Sequence, residues 1–220
     1  MVETAERHFL HRGYGVEFDM EAAWIRRHLP HSSGPLLEVG CGIGALFDLL
    51  GSTLTVGVDG SAAGLRETRK RHPSAALVCG DAAELPFADG HFDAVMLQHV
   101  IEHLQDAQAA CEEWFRVLKS GGRLLLLTPN RLFSDPSVFE DDTHVRILRH
   151  DELAAMVEEA GFEVLDLRTL GLPWFRRYQR WLAGWRLRRW VTHYARSLSQ
   201  ISRLRWKGQT LCCAARRPML

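Results

Sequence analysis

The chain has 220 residues, 46% hydrophobic and 25% charged, enough to bury one sizeable core. No run of 18 or more uncharged apolar residues occurs, and the opening M-V-E-T-A-E-R-H lacks a basic stretch followed by an apolar one, so neither a membrane span nor a signal peptide is expected and a cytoplasmic location is. The formal net charge of zero hides an asymmetry: residues 171–220 hold 12 of the 27 Lys and Arg and no Asp or Glu, so the tail carries +12 against −12 on the body. Such a tail either meets an anionic partner or packs on the acidic body.

Apolar runs and turn signals alternate in a strand-then-helix rhythm. A short strand is expected at Leu36 to Val39, followed by glycines and a helix from about Ala45 to Leu50. A strand near Leu54 to Val58 and a helix from Ala62 to Arg71 come next, the helix stopping at His72-Pro73 because Pro disfavours helix in the residue before it. Strands follow at Ala76 to Cys79 and Phe92 to Leu97. From Asp106, Ala107, Ala110, Cys111, Trp114, Phe115 and Leu118 recur at helical spacing, with Gly121-Gly122 expected to close that helix. Arg123 to Thr128 reads as a central strand covered on both faces, Asp151 to Ala160 as a helix capped by Gly161, and Glu163 to Thr169 and Thr210 to Ala215 as the last strands. The fold class predicted is α/β: a doubly wound, Rossmann-like seven-stranded sheet with an antiparallel last strand and a helical insertion before it. The expected units are an N-terminal helical lid (1–34), a core (35–170), a basic insertion (171–208) and the final strand with its tail (209–220). Five cysteines without a C-x-x-C pair suit reduced core thiols better than zinc or disulfides.

Ligands of such sheets gather outside the carboxyl ends of the strands, and the unusual residues fall there. Gly40, Gly42 and Gly44, with Cys41 between them, leave a strand and enter a helix, letting the backbone turn tightly and approach a nucleotide-like ligand. Alone the pattern is only moderately specific, since with Ala45 it also satisfies a relaxed dinucleotide motif. Asp59, before Gly60, puts a carboxylate beside that loop at a spacing suited to ribose hydroxyls; capping the next helix is its other reading. Glu38 is an acid in an apolar strand, which calls for a ligand cation or a buried Arg or Lys.

Four segments in order, L-L-E-V-G-C-G-I-G, G-V-D-G-S, G-D-A-A-E-L-P-F-A-D-G-H-F-D-A-V and R-V-L-K-S-G-G-R-L-L-L-L-T-P-N, resemble the class I methyltransferase family across roughly Leu36 to Arg168. The resemblance implies S-adenosylmethionine as cofactor. It also implies that Glu38 helps hold the methionine ammonium, that Asp59 binds the ribose, that Asp81 and the Ala82 amide meet the adenine, and that Gln98 and His99 line the methionine end. The sequence Q-H-V-I-E-H is similar to the E-H signature of quinone-type O-methyltransferases, some of which have a metal-binding acid where this chain has His99, so no metal is expected here, although His99, Glu102 and His103 at i, i+3 and i+4 could converge on one ion if they are not simply cap and packing residues at a helix start.

Methyl transfer from a sulfonium gains mainly from orientation and exclusion of water, and a hydroxyl acceptor is helped by a general base. His144, in D-D-T-H-V-R after the fifth predicted strand, is the preferred base, with His99 and His103 as further catalytic candidates. The acceptor expected is a small molecule or lipid, methylated at oxygen. A nucleic-acid base is not expected, because L-Q-H-V stands where base-methylating enzymes carry N-P-P-Y or D-P-P-Y. The segment 171–207 interleaves ten basic residues with five tryptophans and reads as amphipathic helices for an anionic membrane surface or as a substrate lid. An NAD-dependent oxidoreductase and a catalytically silent, partner-binding relative stay open as alternatives.

Overall fold

The computed structural model of the chain describes residues 16–30, 34–50, 55–134, 136–171 and 208–219. In chain order they form α1 (Val16–His28), β1 (Leu36–Val39), α2 (Phe47–Leu50), β2 (Thr55–Asp59), α3 (Ala62–Arg71), β3 (Ala76–Cys79), β4 (Phe92–Gln98), a 3-10 turn (Ile101–His103), α4 (Ala107–Val117), β5 (Leu118–Pro129), α5 (Pro136–Phe139), α6 (His150–Glu159), β6 (Glu163–Leu170) and β7 (Thr210–Arg216). The strands make one seven-stranded sheet in the order β3-β2-β1-β4-β5-β7-β6. Pairing is parallel from β3 to β5, and β7 runs antiparallel between β5 and β6. Among the described residues no helix is long and apolar enough to cross a membrane.

The expected α/β class and antiparallel last strand are therefore present, and the reason lies in period-two burial. On β5, Leu124 and Leu126 join the cluster beneath α4 and α6, with Trp114, Cys111, Leu153 and Val157. Their neighbours Leu125 and Leu127 face the opposite side, against Met20, Trp24 and Ile25 of α1. A strand buried on both faces reads as an unbroken apolar run. The described part of the segment expected as an N-terminal lid thus packs on the sheet face. The basic insertion expected at 171–208 lies, but for Gly171 and Gly208, outside the described residues.

Two local expectations need correcting. Gly121-Gly122 does not close the helix beginning after Asp106: that helix ends at Val117, and both glycines lie inside β5, where the register to β4 shifts between Phe92 and Ala94. Residues 42–46 form turns, so α2 begins at Phe47 rather than near Ala45. Of the cysteines, Cys41, Cys111, Cys212 and Cys213 are buried thiols and Cys79 is exposed. Burial pushes the Cys111 and Cys213 thiols up to about 12.

Asp166 on β6 fastens α1 to the sheet. Its carboxylate accepts from Trp24 Nε1 (3.2 Å) and Arg168 (2.7 Å) and faces His28 Nε2 at 3.1 Å. Burial would raise its pKa, but the hydrogen bonds from His28, Arg168 and Trp24 outweigh it and hold the carboxyl below its ordinary value. A depressed folded pKa contributes stability above the unfolded value of 3.8, lost as pH falls toward the folded one. Asp166→Asn should therefore lower the Tm at neutral pH by roughly 2–4 °C, the equivalent of about 1 kcal/mol after solvent screening. Thermal melts should show that deficit shrinking as pH falls toward and below 3.8.

Candidate active site

The glycine loop leaves β1 between its two parallel neighbours. Gly40, Gly42 and Gly44 have φ of 72°, 51° and 75°, and a Cβ on Gly40 would stand 2.3 Å from Val100 Cγ2, so both conformation and space require glycine there. The loop is tied to β2 by Gly40 N and Cys41 N donating to Val58 O (2.8 and 3.1 Å) and by Gly42 N donating to Asp59 Oδ2 (2.7 Å). Thr68 Oγ1 of α3 donates to Gly42 O at 2.7 Å. The other oxygen of Asp59 accepts from Ser61 N (2.7 Å), while Ser61 itself caps α3 through Gly64 N. Asp59 is thus a bridge between two loops rather than the helix cap, and its carboxylate retains acceptor capacity beyond these two bonds.

Glu38 is buried beside this loop, and its Oε2 has no hydrogen-bond partner among the described residues. No described Lys or Arg pairs with it. Burial, reinforced by the nearby charge of Asp59, pushes its carboxyl well above the ordinary value. A buried acid held this way next to a ligand-approaching loop fits a cationic ammonium group.

At the end of β3, Asp81 Oδ1 accepts from Ala83 N (2.8 Å) and shapes an exposed turn, while Ala82 O accepts from Trp114 Nε1 (2.9 Å). Gly60 and Gly80 sit side by side where β2 and β3 end, with Gly80 N donating to Asp59 O at 3.2 Å. The residues assigned by resemblance therefore line one edge of the sheet: Glu38, the glycine loop, Asp59, Gly60, Asp81 and Ala82.

Past β4 the structure adds a residue that sequence reasoning missed. Glu21 of α1 is buried, accepts from Gln98 Nε2 (2.6 Å) and Thr210 Oγ1 (2.8 Å), and stands 3.5 Å from His99 Nε2. His99 Nδ1 faces Glu102 Oε1 at 3.4 Å, so one imidazole lies between two buried carboxylates. Burial would raise both acids, yet His99 and their hydrogen-bond donors hold Glu21 and Glu102 below the ordinary value. His99 has φ 58°, the one non-glycine residue with positive φ among the described residues. An acid inside a helix 77 residues before Gln98 gives no local signal; only its position on the buried face of α1 marks it.

His103 turns away from His99. Its Nδ1 lies 3.0 Å from Thr143 O, and its ring stands 4.8 Å from that of His144. His144, with Nδ1 2.6 Å from Val138 O, joins Glu102 and His103 from the connection after β5. A cavity of about 540 Å³ lined by Gln108, Arg131, Leu148, Glu152 and Met156 contains none of the residues expected to hold cofactor.

Residues 37–126 match the family described as a methyltransferase domain. The chain is 39% identical over 167 residues to a "Probable S-adenosylmethionine-dependent methyltransferase" of Mycolicibacterium smegmatis, covering 69% of this chain and 63% of the relative. It is 29% identical over 181 residues to the chloroplastic 2-methyl-6-phytyl-1,4-hydroquinone methyltransferase of Arabidopsis thaliana, covering 79% and 53%. The chain thus spans about three fifths or less of these relatives' lengths. The solved geranyl diphosphate C-methyltransferase of Streptomyces coelicolor has the same fold, with a TM-score of 0.67 at 20% identity over 91% of this chain and 80% of that one. Over residues 37–126 the chain thus matches a methyltransferase domain, and the relatives it resembles are named as methyltransferases, that of Mycolicibacterium smegmatis as S-adenosylmethionine-dependent.

Glu38→Gln separates stability from binding. Between the unfolded value of 4.5 and its raised folded value the native state holds the extra proton, so apoprotein stability falls as pH rises through that window. The amide removes this slope and should raise the apoprotein Tm at neutral pH. It should also weaken S-adenosylhomocysteine by about 1.5–3 kcal/mol, the scale of a charged hydrogen bond. Calorimetry showing unchanged affinity would remove Glu38 from the site.

Proposed function

We propose that the chain transfers the methyl group of S-adenosylmethionine to an oxygen of a small, lipophilic acceptor. The observation that carries this reading is the buried, unpaired Glu38 carboxyl at the mouth of the triple-glycine loop, with Asp59 and Asp81 at the ends of the next two strands. In this reading Glu38 holds the methionine ammonium and the remaining acceptor capacity of Asp59 takes the ribose hydroxyls. Asp81 and the Ala82 amide take the adenine, and Gln98, fixed by Glu21, faces the methionine end. Positive charge vanishes as the sulfonium loses its methyl group, so these residues act chiefly by orienting the reactants and excluding water. Deprotonation of the acceptor hydroxyl is assigned to the His103–His144 pair.

A lipophilic acceptor is supported by Leu132, Phe139 and Val145, large apolar side chains exposed on the connection after β5. The hydroquinone substrate named for the Arabidopsis relative is of the same character. The segment 171–207 is given a helping role in this reading. Leu170 and Thr210 pair with each other beside Pro129, and Asn130 Nδ2 donates to Gly208 O at 2.7 Å. Both ends of the basic segment therefore leave the core at the edge of the sheet where the cofactor loops lie, and the reading gives it the task of contacting anionic lipid.

S-adenosylhomocysteine should raise the Tm and NAD should not, because a ligand of the native state stabilises it by mass action. In a cell extract with labelled methyl donor, the label should pass into an organic-extractable product; stabilisation by NAD alone, or label confined to polar products, would overturn the respective part. Anionic liposomes should sediment the protein at low salt and release it at high salt. Protein remaining in the supernatant would leave the segment as a substrate cap.

A further inference from the structure

The connection after β5 folds back beside the end of that strand before it enters α6. Asn130 bridges Leu148 in parallel, Arg131 N donates to Leu148 O at 2.9 Å, and Arg146 N donates to Glu102 O at 3.1 Å. Backbone bonds therefore hold the stretch 146–148 between the end of β5 and the 3-10 turn that precedes α4. This stretch and α6 enclose the cavity of about 540 Å³, a volume within the range of small-molecule pockets. On α6, Glu152, Ala155, Met156 and Glu159 recur at helical spacing and present one face to it. Leu148 and Met156 are buried and give the cavity an apolar floor.

The charges around that floor are unequally engaged. Glu152 Oε2 accepts from Arg149 N at 2.8 Å, and its Oε1 faces Arg131 Nη1 at 3.5 Å, so this acid and one of the two arginines answer each other. Glu159 lies seven residues further along α6, about 10 Å away, and is exposed to water. The Arg146 guanidinium and the Gln108 amide also line the cavity, and neither side chain has a hydrogen bond or ion pair with a described residue. A guanidinium offers paired donors to a carboxylate or phosphate, and an amide adds another N–H. Two lining bases are balanced by two acids, so the cavity lacks the field that would draw a polyanion and suits one anionic group. Next to the arginines in the chain stand Leu132 and Val145, both exposed, which extend the apolar surface.

We infer that this cavity binds a free single-chain amphiphile by its anionic head, a carboxylate or a phosphate. Arg146 and Gln108 hold the head, and the apolar chain lies over Leu148 and Met156. A cationic amphiphile is disfavoured because its head would meet Arg146 and Arg131, while the acid nearest them is already engaged. None of the lining residues belongs to the set assigned to the cofactor, so the site is separate from the Glu38 edge and does not depend on the methyltransferase reading.

The test titrates the full chain by calorimetry with octanoate and octyl phosphate as anionic probes, octanol as the neutral one and octylamine as the cationic one. Saturable one-to-one binding of at least one anion is expected, about tenfold or more tighter than octanol or octylamine, the scale of a charge-assisted hydrogen bond. The tighter of the two anions identifies the head group. Arg146→Gln should weaken that anion about tenfold or more. Ala155→Glu, at an exposed position of α6 inside the cavity, should abolish saturation, whereas Arg66→Gln, on exposed α3, should change nothing. All three substitutions are at exposed positions, and thermal melts matching the wild type establish that the variants fold. Absence of saturation with both anions overturns the site, as does octanol or octylamine binding as tightly. Unchanged affinity in folded Arg146→Gln, or an equal loss in Arg66→Gln, overturns it as well.

Discussion

The geometry of the cofactor edge depends on the Asp59 carboxylate, whose two oxygens accept Gly42 N–H and Ser61 N–H at 2.7 Å each. One bond draws the glycine loop onto the end of β2 and the other sets the entry to α3. Thr68 then reaches from α3 back to Gly42 O, closing a ring of contacts around the loop. With three residues at positive φ, the loop has little conformational preference of its own, so these bonds decide its shape. Charge-assisted bonds to backbone N–H groups suit this task because they are short and directional.

Three buried glutamates show how much the surroundings decide. Glu21 and Glu102 have the His99 imidazole between them and hydroxyl or amide donors on their other sides, and both stay below the ordinary carboxylate range. Glu38, equally buried and near the charge of Asp59, has no such partner and is driven the other way. The difference separates the two kinds: the paired acids tie α1, β4, β5 and β7 together past the end of β4, whereas Glu38 Oε2 has no such tie among the described residues. Retaining an unsatisfied buried carboxyl destabilises the apoprotein, a strain of the kind that persists at binding sites.

His99 is where these demands meet. Its positive φ is held by the bond from His99 N to Leu127 O and by the two carboxylates that grip its ring. Holding His99 this way lets the chain turn sharply after β4 and puts Glu102 and His103 back under the connection that carries His144. The glycine loop and the contact between His103 and His144 are thereby built on the ends of adjacent strands, β1 and β4, which pair from Leu36 with Ala94 to Val39 with Leu97.

Much of this was legible in the sequence. Apolar runs bounded by Gly and Pro mark every strand to within a residue or two at most ends, and the glycine loop and Asp59 stand out by local pattern, because each works through backbone nearby, whereas Asp81 stands out only through the family resemblance. β5 was the exception: its first residues were read as helix because Leu118 continues the apolar spacing of α4, while only pairing with Phe92 makes them extended. Glu21 was invisible for a related reason: an acid on a helix is ordinary until the helix is laid on the sheet beside Gln98, His99 and Thr210. His103 and His144 were each singled out, but as separate candidates, and His103 was grouped with His99 by helical spacing. The 3-10 turn broke that spacing and sent His103 toward His144 instead. The sequence by itself determined the layers, the strands and the cofactor loop, since hydrophobic period and turn chemistry are local; tertiary structure alone decided which acids are paired and which histidines meet, since both depend on contacts between segments far apart in the chain.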